Sequence, residues 1–436
     1  MTYIPYLFYL MRQQRSATAF LAVDVLFLVV ALLALHSALN SPTGTYVLTA
    51  TVVFAVGKAA WSVIKIFRSW MAYLHASESR IIRRRALNQS FGLVKLTQIR
   101  PSEKEQVAGF SVHKTCREPV LHSEQIDEFL WTAPQLRVVK NTEKPLAVAR
   151  LIRRHRGPLL TLLACQHREA RKEKQLFFNE EKLCLASRID PDRGQVECYK
   201  GLYFDALLTN EACTKALVDE NDDDLLTDFT PMFPLYRRFD NQVCLDDIAE
   251  SAMSDHIGIS TLGFTRDRYI VIWAQSPKVL HSPGLLAPTG SGSCDWKDLV
   301  SYDDFLHTIR IAMERELREE SSLKMLSPQH PVINSTFVLG FFRWVKRGGN
   351  PEFVGITRLD VDSSELKPNL SETRRPREKR QAKFLVEKID DLHSLRARIE
   401  RSGELSVPLD MNLRCLEEFY SKRGQQLADF LYGADH

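Results

Sequence analysis

Two long apolar stretches, residues 17–39 and 45–67, open the chain, each of roughly membrane-spanning length. A cleaved signal peptide would carry one such stretch with a shorter apolar core. The uncharged turn Asn40-Ser41-Pro42-Thr43-Gly44 separates them. Past residue 250 the period changes. Ile257 to Phe264 and Tyr269 to Trp273 read as strands joined by a hairpin turn at Arg266-Asp267-Arg268. Phe305, Ile309, Ala312 and Leu317 recur at helical spacing, so 305–320 reads as one amphipathic helix. Thr336 to Trp344 and Phe353 to Thr357 make a second strand pair around Gly348-Gly349-Asn350, and 411–432 reads as a closing helix.

The basic residues give the apolar pair an orientation. Arg12 and Arg15 precede the first stretch, and Arg68, Arg80, Arg83, Arg84 and Arg85 follow the second. By the positive-inside rule this predicts a two-helix hairpin in an inner membrane, with both chain ends cytoplasmic. Tyr46 would lie at the outer interface, and Trp70 and Tyr73 at the inner one. Asp24 and Lys58 would then sit about 10 and 13 Å inside the bilayer, close enough in depth to form an intramembrane pair. Thr51, Ala55 and Ala59 make a stripe of small residues, with Ala34 and Ala38 a shorter one. Such stripes let helices approach closely, which predicts a homo-oligomer.

Residues 86–250 are less periodic. Phe91 to Leu96, Leu136 to Val139 and Leu159 to Leu163 read as strands, with turns at Arg156-Gly157-Pro158 and Asp190 to Gly194. Asp219 to Asp224 is an acidic loop, Arg150, Arg153, Arg154 and Arg156 form a basic cluster, and 371–383 is a basic loop. The expected organisation is a hairpin with a basic juxtamembrane segment over 1–85, a β-rich extension over 86–250, and an α/β domain over 251–436. A net charge of +4 argues against a nucleic-acid-coating protein. Eight cysteines without a CxxC pair suggest neither a zinc site nor a disulfide framework. Cys165, Cys184 and Cys198 sit in apolar surroundings and read as core residues.

Candidate chemistry concentrates on the 305–320 helix. Glu316, Glu319 and Glu320 stand at i, i+3 and i+4, so their carboxylates leave one face, where a hard cation such as Mg²⁺ would relieve their repulsion. Ahead of the helix, Leu286-Ala287-Pro288-Thr289-Gly290-Ser291-Gly292 is a loop whose backbone N–H groups can approach phosphate.

Strand, glycine loop, glutamate helix, strand: this order resembles the Nudix family, whose box reads Gx5Ex7REUxEExGU. The second half of the box is intact in Arg315-Glu316-Leu317, Glu319-Glu320 and Leu323. The first half departs from it, with Ser301, His307 and Ser322 where the family has Gly, Glu and Gly. The resemblance implies an α/β/α sandwich. It also implies Mg²⁺ held by Glu316, Glu319 and Glu320, catalytic roles for these and Arg315, and ligand contacts from Gly290, Gly292 and Arg266. Joined to the apolar hairpin, the domain resembles the two-transmembrane Nudix effectors of CBASS anti-phage systems. That resemblance implies binding of a cyclic oligonucleotide made by a partner synthase, disruption of the inner membrane, and abortive infection. The alternative is a membrane-tethered Nudix hydrolase of nucleoside diphosphate derivatives.

Overall fold

The computed structural model describes residue 29 and residues 42–76, 78–87, 91–133, 135–172, 177–274, 284–321, 333–367 and 380–433. Its largest unit is a nine-stranded mixed sheet to which both halves of the chain contribute. Ser111–Lys114 (β1) and Pro119–His122 (β2) form one edge, and Glu124–Thr132 (α1) follows them. Next in the chain come Gly258–Phe264 (β3), Tyr269–Ala274 (β4), Leu286–Ala287 (β5) and Gly290–Ser293 (β6). Phe305–Glu320 (α2), Ile333–Trp344 (β7), Asn350–Leu359 (β8), Arg380–Leu385 (β9) and Val407–Tyr432 (α3) complete it. The strand order is β5-β4-β3-β8-β7-β2-β1, with β6 paired to β3 and β9 to β4. Only β3 and β8 run parallel among these pairs.

Helices cover both faces of the sheet. On one side, α2 buries Phe305, Ile309, Ala312 and Met313 against Ile259, Val338, Phe341 and Phe353. On the other, α3 buries Leu409, Leu413, Leu416 and Phe419 against Leu262, Val354, Ile356 and Phe342. Adjacent residues such as Phe353 and Val354 face opposite layers, as strand periodicity requires. Val338 and Phe341 lie three apart yet share a layer, because the β7–β8 register shifts between Val338 and Gly340.

The turn chemistry follows the sequence. Arg268 takes φ 64° in the β3–β4 hairpin, and Gly348 and Gly349 take φ 61° and 81° between β7 and β8. The middle of the chain differs from expectation. Arg137–Lys140 is a strand, but the run Leu159 to Leu163 lies inside the helix Arg156–Lys172. That helix buries consecutive residues from Leu162 to His167, so its pattern carries no 3.6-residue period. The basic cluster lies on Lys144–Arg154 and on the first residue of the next helix. Within the acidic loop, Asp223 pairs with Arg80.

The membrane hairpin is corrected. The second apolar stretch does form a helix, Pro42–His75, but among the described residues no helix is long and apolar enough to cross a membrane. Gly57, Lys58 and Ser62 interrupt its apolar run. Ala55 and Ser62 are buried, and the helix packs along Arg156–Lys172. Cys165 Sγ lies 3.7 Å from the Ala76 carbonyl just beyond its end. The first stretch lies outside the described residues apart from Val29, and Asp24 lies there too. Lys58 is exposed, with its Nζ 5.7 Å from the Phe54 ring centroid. Neither the two-span hairpin nor the inner-membrane placement stands. The α/β domain does.

Candidate active site

The site is built where α2 presses against β6. A Cβ added to Gly290 would come within 2.7 Å of the Leu317 Cα and N, so only glycine lets strand and helix backbones approach so closely. A Cβ on Gly292 would fall 2.3 Å from the Glu316 Cδ. Gly290 therefore sets the distance between helix and strand, and Gly292 leaves room for the Glu316 carboxylate. The helix starts at the N-cap Asp304, whose Oδ1 accepts from the His307 N–H at 3.1 Å. His307 itself is exposed, and Ser301 hydrogen-bonds Asp303, away from the glutamates.

Arg315 organises the carboxylates. Its Nη1 donates to Glu316 Oε1 at 2.8 Å and to Glu319 Oε2 at 3.2 Å. Its Nε and Nη2 clasp Asp298 at 2.9 Å each, and Nη2 also donates to the Ser293 carbonyl at 2.8 Å. Burial pulls the guanidinium pKa down, but Asp298, Glu316 and Asp295 outweigh it and hold the group charged. Burial pushes the Glu316 carboxyl up to about 7 against the pull of Arg315. Glu320 is buried at the end of the helix.

Behind Arg315 stands a second charge layer. Asp295 lies 3.6 Å from Arg315 Nη2 and 2.5 Å from Lys182 Nζ, and Lys297 is 3.1 Å away on the outer side. Lys182 also meets Glu180 at 3.1 Å. Strand Glu181–Leu185 carries Lys182 here, joined to the loop by the Leu183 N–H to Cys294 carbonyl bond at 3.0 Å. Nothing in the sequence signalled Lys182, which comes from the 86–250 stretch.

Arg266 lies elsewhere. It sits beyond the end of β3, whereas Gly290 and Gly292 pair with Thr261 and Ile259 in the strand's first half. Its side chain is exposed and bonds Asp362 at 3.0 Å. Ser322 and Leu323 of the box lie outside the described residues.

The donor set suits a hard cation in kind, since carboxylate oxygens are what Mg²⁺ prefers and a desolvated Glu316 would gain by meeting one. The three glutamates are not drawn into a tight cluster. Among the described residues the one group of three ligand atoms lying within 4.8 Å of one another is His122, Asp127 and Cys415. Between Glu316 and Glu319 the positive charge is that of Arg315.

No family model matches the chain, and no characterised protein is similar to it at a significant level. Solved structures do match in part. DR0079 from Deinococcus radiodurans is similar at 17% identity and a TM-score of 0.23, over 36% of this chain and 81% of that one. RenU, a Nudix hydrolase from M. smegmatis, is similar at 13% identity and a TM-score of 0.25, over 39% of this chain and 88% of its own.

Proposed function

We propose that the sandwich domain is a Nudix-type hydrolase of a nucleotide diphosphate linkage, with Glu316 as its general base. One observation carries the reading: Glu316 is desolvated between Gly292 and Arg315, and its carboxyl is pushed up to about 7. A base with its pKa near the working pH combines the right protonation state with proton-accepting strength. Glu319 and Glu320 would hold Mg²⁺, which supplies charge neutralisation to a diphosphate, and leave Glu316 free as the base. The chain's own part is orientation. Arg315 fixes Glu316 and Glu319 on one guanidinium nitrogen, and the Asp298 clasp holds that guanidinium in place.

A second reading keeps the site for binding alone, as a sensor of a cyclic oligonucleotide whose output does not run through a membrane hairpin. It is favoured by the exposed His307 in place of the first box glutamate, and by the absence of a preformed cluster of the three carboxylates among the described residues.

The two readings separate in one experiment. The purified chain is incubated with Mg²⁺ and either nucleoside diphosphate derivatives or cyclic di- and trinucleotides. Products that disappear in Glu316→Gln support the hydrolase; a thermal shift without products, unaltered in Glu319→Gln/Glu320→Gln, supports the sensor.

A further inference from the structure

We infer that His122, Asp127 and Cys415 form a second, buried cation site of the zinc class, which clamps the C-terminal helix to the edge of the sandwich sheet. His122 ends β2, Asp127 lies in the first turn of α1, and Cys415 lies on α3. All three side chains are fully excluded from solvent. His122 Nε2 is 2.7 Å from Asp127 Oδ2, Cys415 Sγ is 3.3 Å from the same oxygen, and Cys415 Sγ is 3.8 Å from His122 Nε2.

These separations are near those a tetrahedral zinc ion imposes. Bond lengths of about 2.0–2.3 Å to N, O and S put neighbouring donors roughly 3.3–3.6 Å apart. The two sulfur separations bracket that range, and the His–Asp contact has to open by about half an ångström. The donor types are also the right ones: imidazole nitrogen, carboxylate oxygen and thiolate sulfur. One thiolate, one carboxylate and a neutral imidazole balance a dication, so the loaded site has no net charge in a dry interior.

Two features of the surroundings support a built site. Asp127 Oδ1 accepts the Phe341 N–H at 2.9 Å, which leaves Oδ2 turned toward His122 and Cys415. An outer hydrogen bond of this kind orients a ligating carboxylate. In the facing strand, a Cβ on Gly340 would fall 2.5 Å from Asp127 Oδ2 and 2.6 Å from Cys415 Sγ. Glycine at 340 keeps the strand clear of both donors.

The consequence is a covalent-like tie between segments 288 residues apart, from Asp127 to Cys415. The site is separate from the glutamates of α2, since α3 covers the opposite face of the sheet.

The test uses the full chain, purified without chelator. Elemental analysis should find about one zinc per chain, falling roughly tenfold in Cys415→Ser. Refolding with Co²⁺ in place of Zn²⁺ should give a thiolate-to-cobalt absorption band in the near ultraviolet, absent from Cys415→Ser and retained in Glu316→Gln. A metal-free wild-type chain that shows no such band after refolding with Co²⁺ would overturn the proposal. So would a band that survives Cys415→Ser. The wild-type measurement decides even if the variant does not fold, and its negative result would leave the three residues as a hydrogen-bonded trio centred on Asp127.

Discussion

The Glu316 carboxylate occupies the space in front of Gly292 where any other residue would place its Cβ, with the Glu316 oxygens 2.4 and 2.5 Å from that position. The carboxylate thus lies in a volume that the glycine leaves open. Gly292→Ala should displace the Glu316 carboxylate from its bond to Arg315 at little cost in stability, because only the end of a flexible side chain has to move at an exposed position. Activity should fall further than stability, as judged by product formation at a temperature where circular dichroism shows the variant folded.

Glu316 also gives the domain a pH signature. Its folded pKa of about 7 lies above the ordinary 4.5, so the folded state holds a proton that the unfolded chain releases. That contribution is complete below pH 4.5 and is lost as pH rises to about 7. The shift corresponds to about 3 kcal/mol. Urea unfolding of wild type and Glu316→Gln at several pH values isolates it. Wild type should lose stability relative to the variant between pH 4.5 and 7 and run parallel to it above. Mg²⁺ added at pH 8 should return part of the loss if the glutamates take the cation.

A buried ion pair fastens the sheet to the segment before it. Arg343 on β7 and Glu105 on Glu103–Val107 are both almost wholly inaccessible, and Arg343 also donates to the Asp246 and Gly349 carbonyls. Arg343→Met leaves the Glu105 carboxyl buried without its cation and should cost about 3–5 kcal/mol. Adding Glu105→Gln should recover part of that loss in thermal unfolding. An unchanged melting temperature in the single variant would show that the pair contributes nothing.

What the sequence disclosed was whatever had a period. The 305–320 helix was legible because it buries one face, and the strand pairs on either side because short apolar runs, buried on both faces, are bounded by turn residues such as those at 266–268. Leu159 to Leu163 misled because a helix buried on nearly all sides looks like a buried strand over five residues. The 45–67 stretch misled differently: its helix is real, but Gly57, Lys58 and Ser62 leave it short of the apolarity of a span. Of the site, Arg315 and the glutamates lie within one helix and could be read by spacing. Lys182 could not, since it reaches Asp295 across 113 residues.

That long-range contact carries the last prediction. Lys182 is buried, and its charge pulls the Glu316 pKa down while burial pushes it up. In Lys182→Met this smaller pull is gone while that of Arg315 remains, so the Glu316 midpoint should move up slightly and the stability loss should extend to somewhat higher pH than in wild type. Asp295 is not abandoned by the change, because Lys297 and Arg315 remain 3.1 and 3.6 Å away. The cost in stability should therefore be about 1–3 kcal/mol, below that of breaking an isolated buried pair. Carboxyl ¹³C chemical shifts across pH would read the Glu316 midpoint directly. A midpoint identical to wild type would mean that the strand Glu181–Leu185 supports the site by packing alone, and that the charge of Lys182 is spent on Asp295.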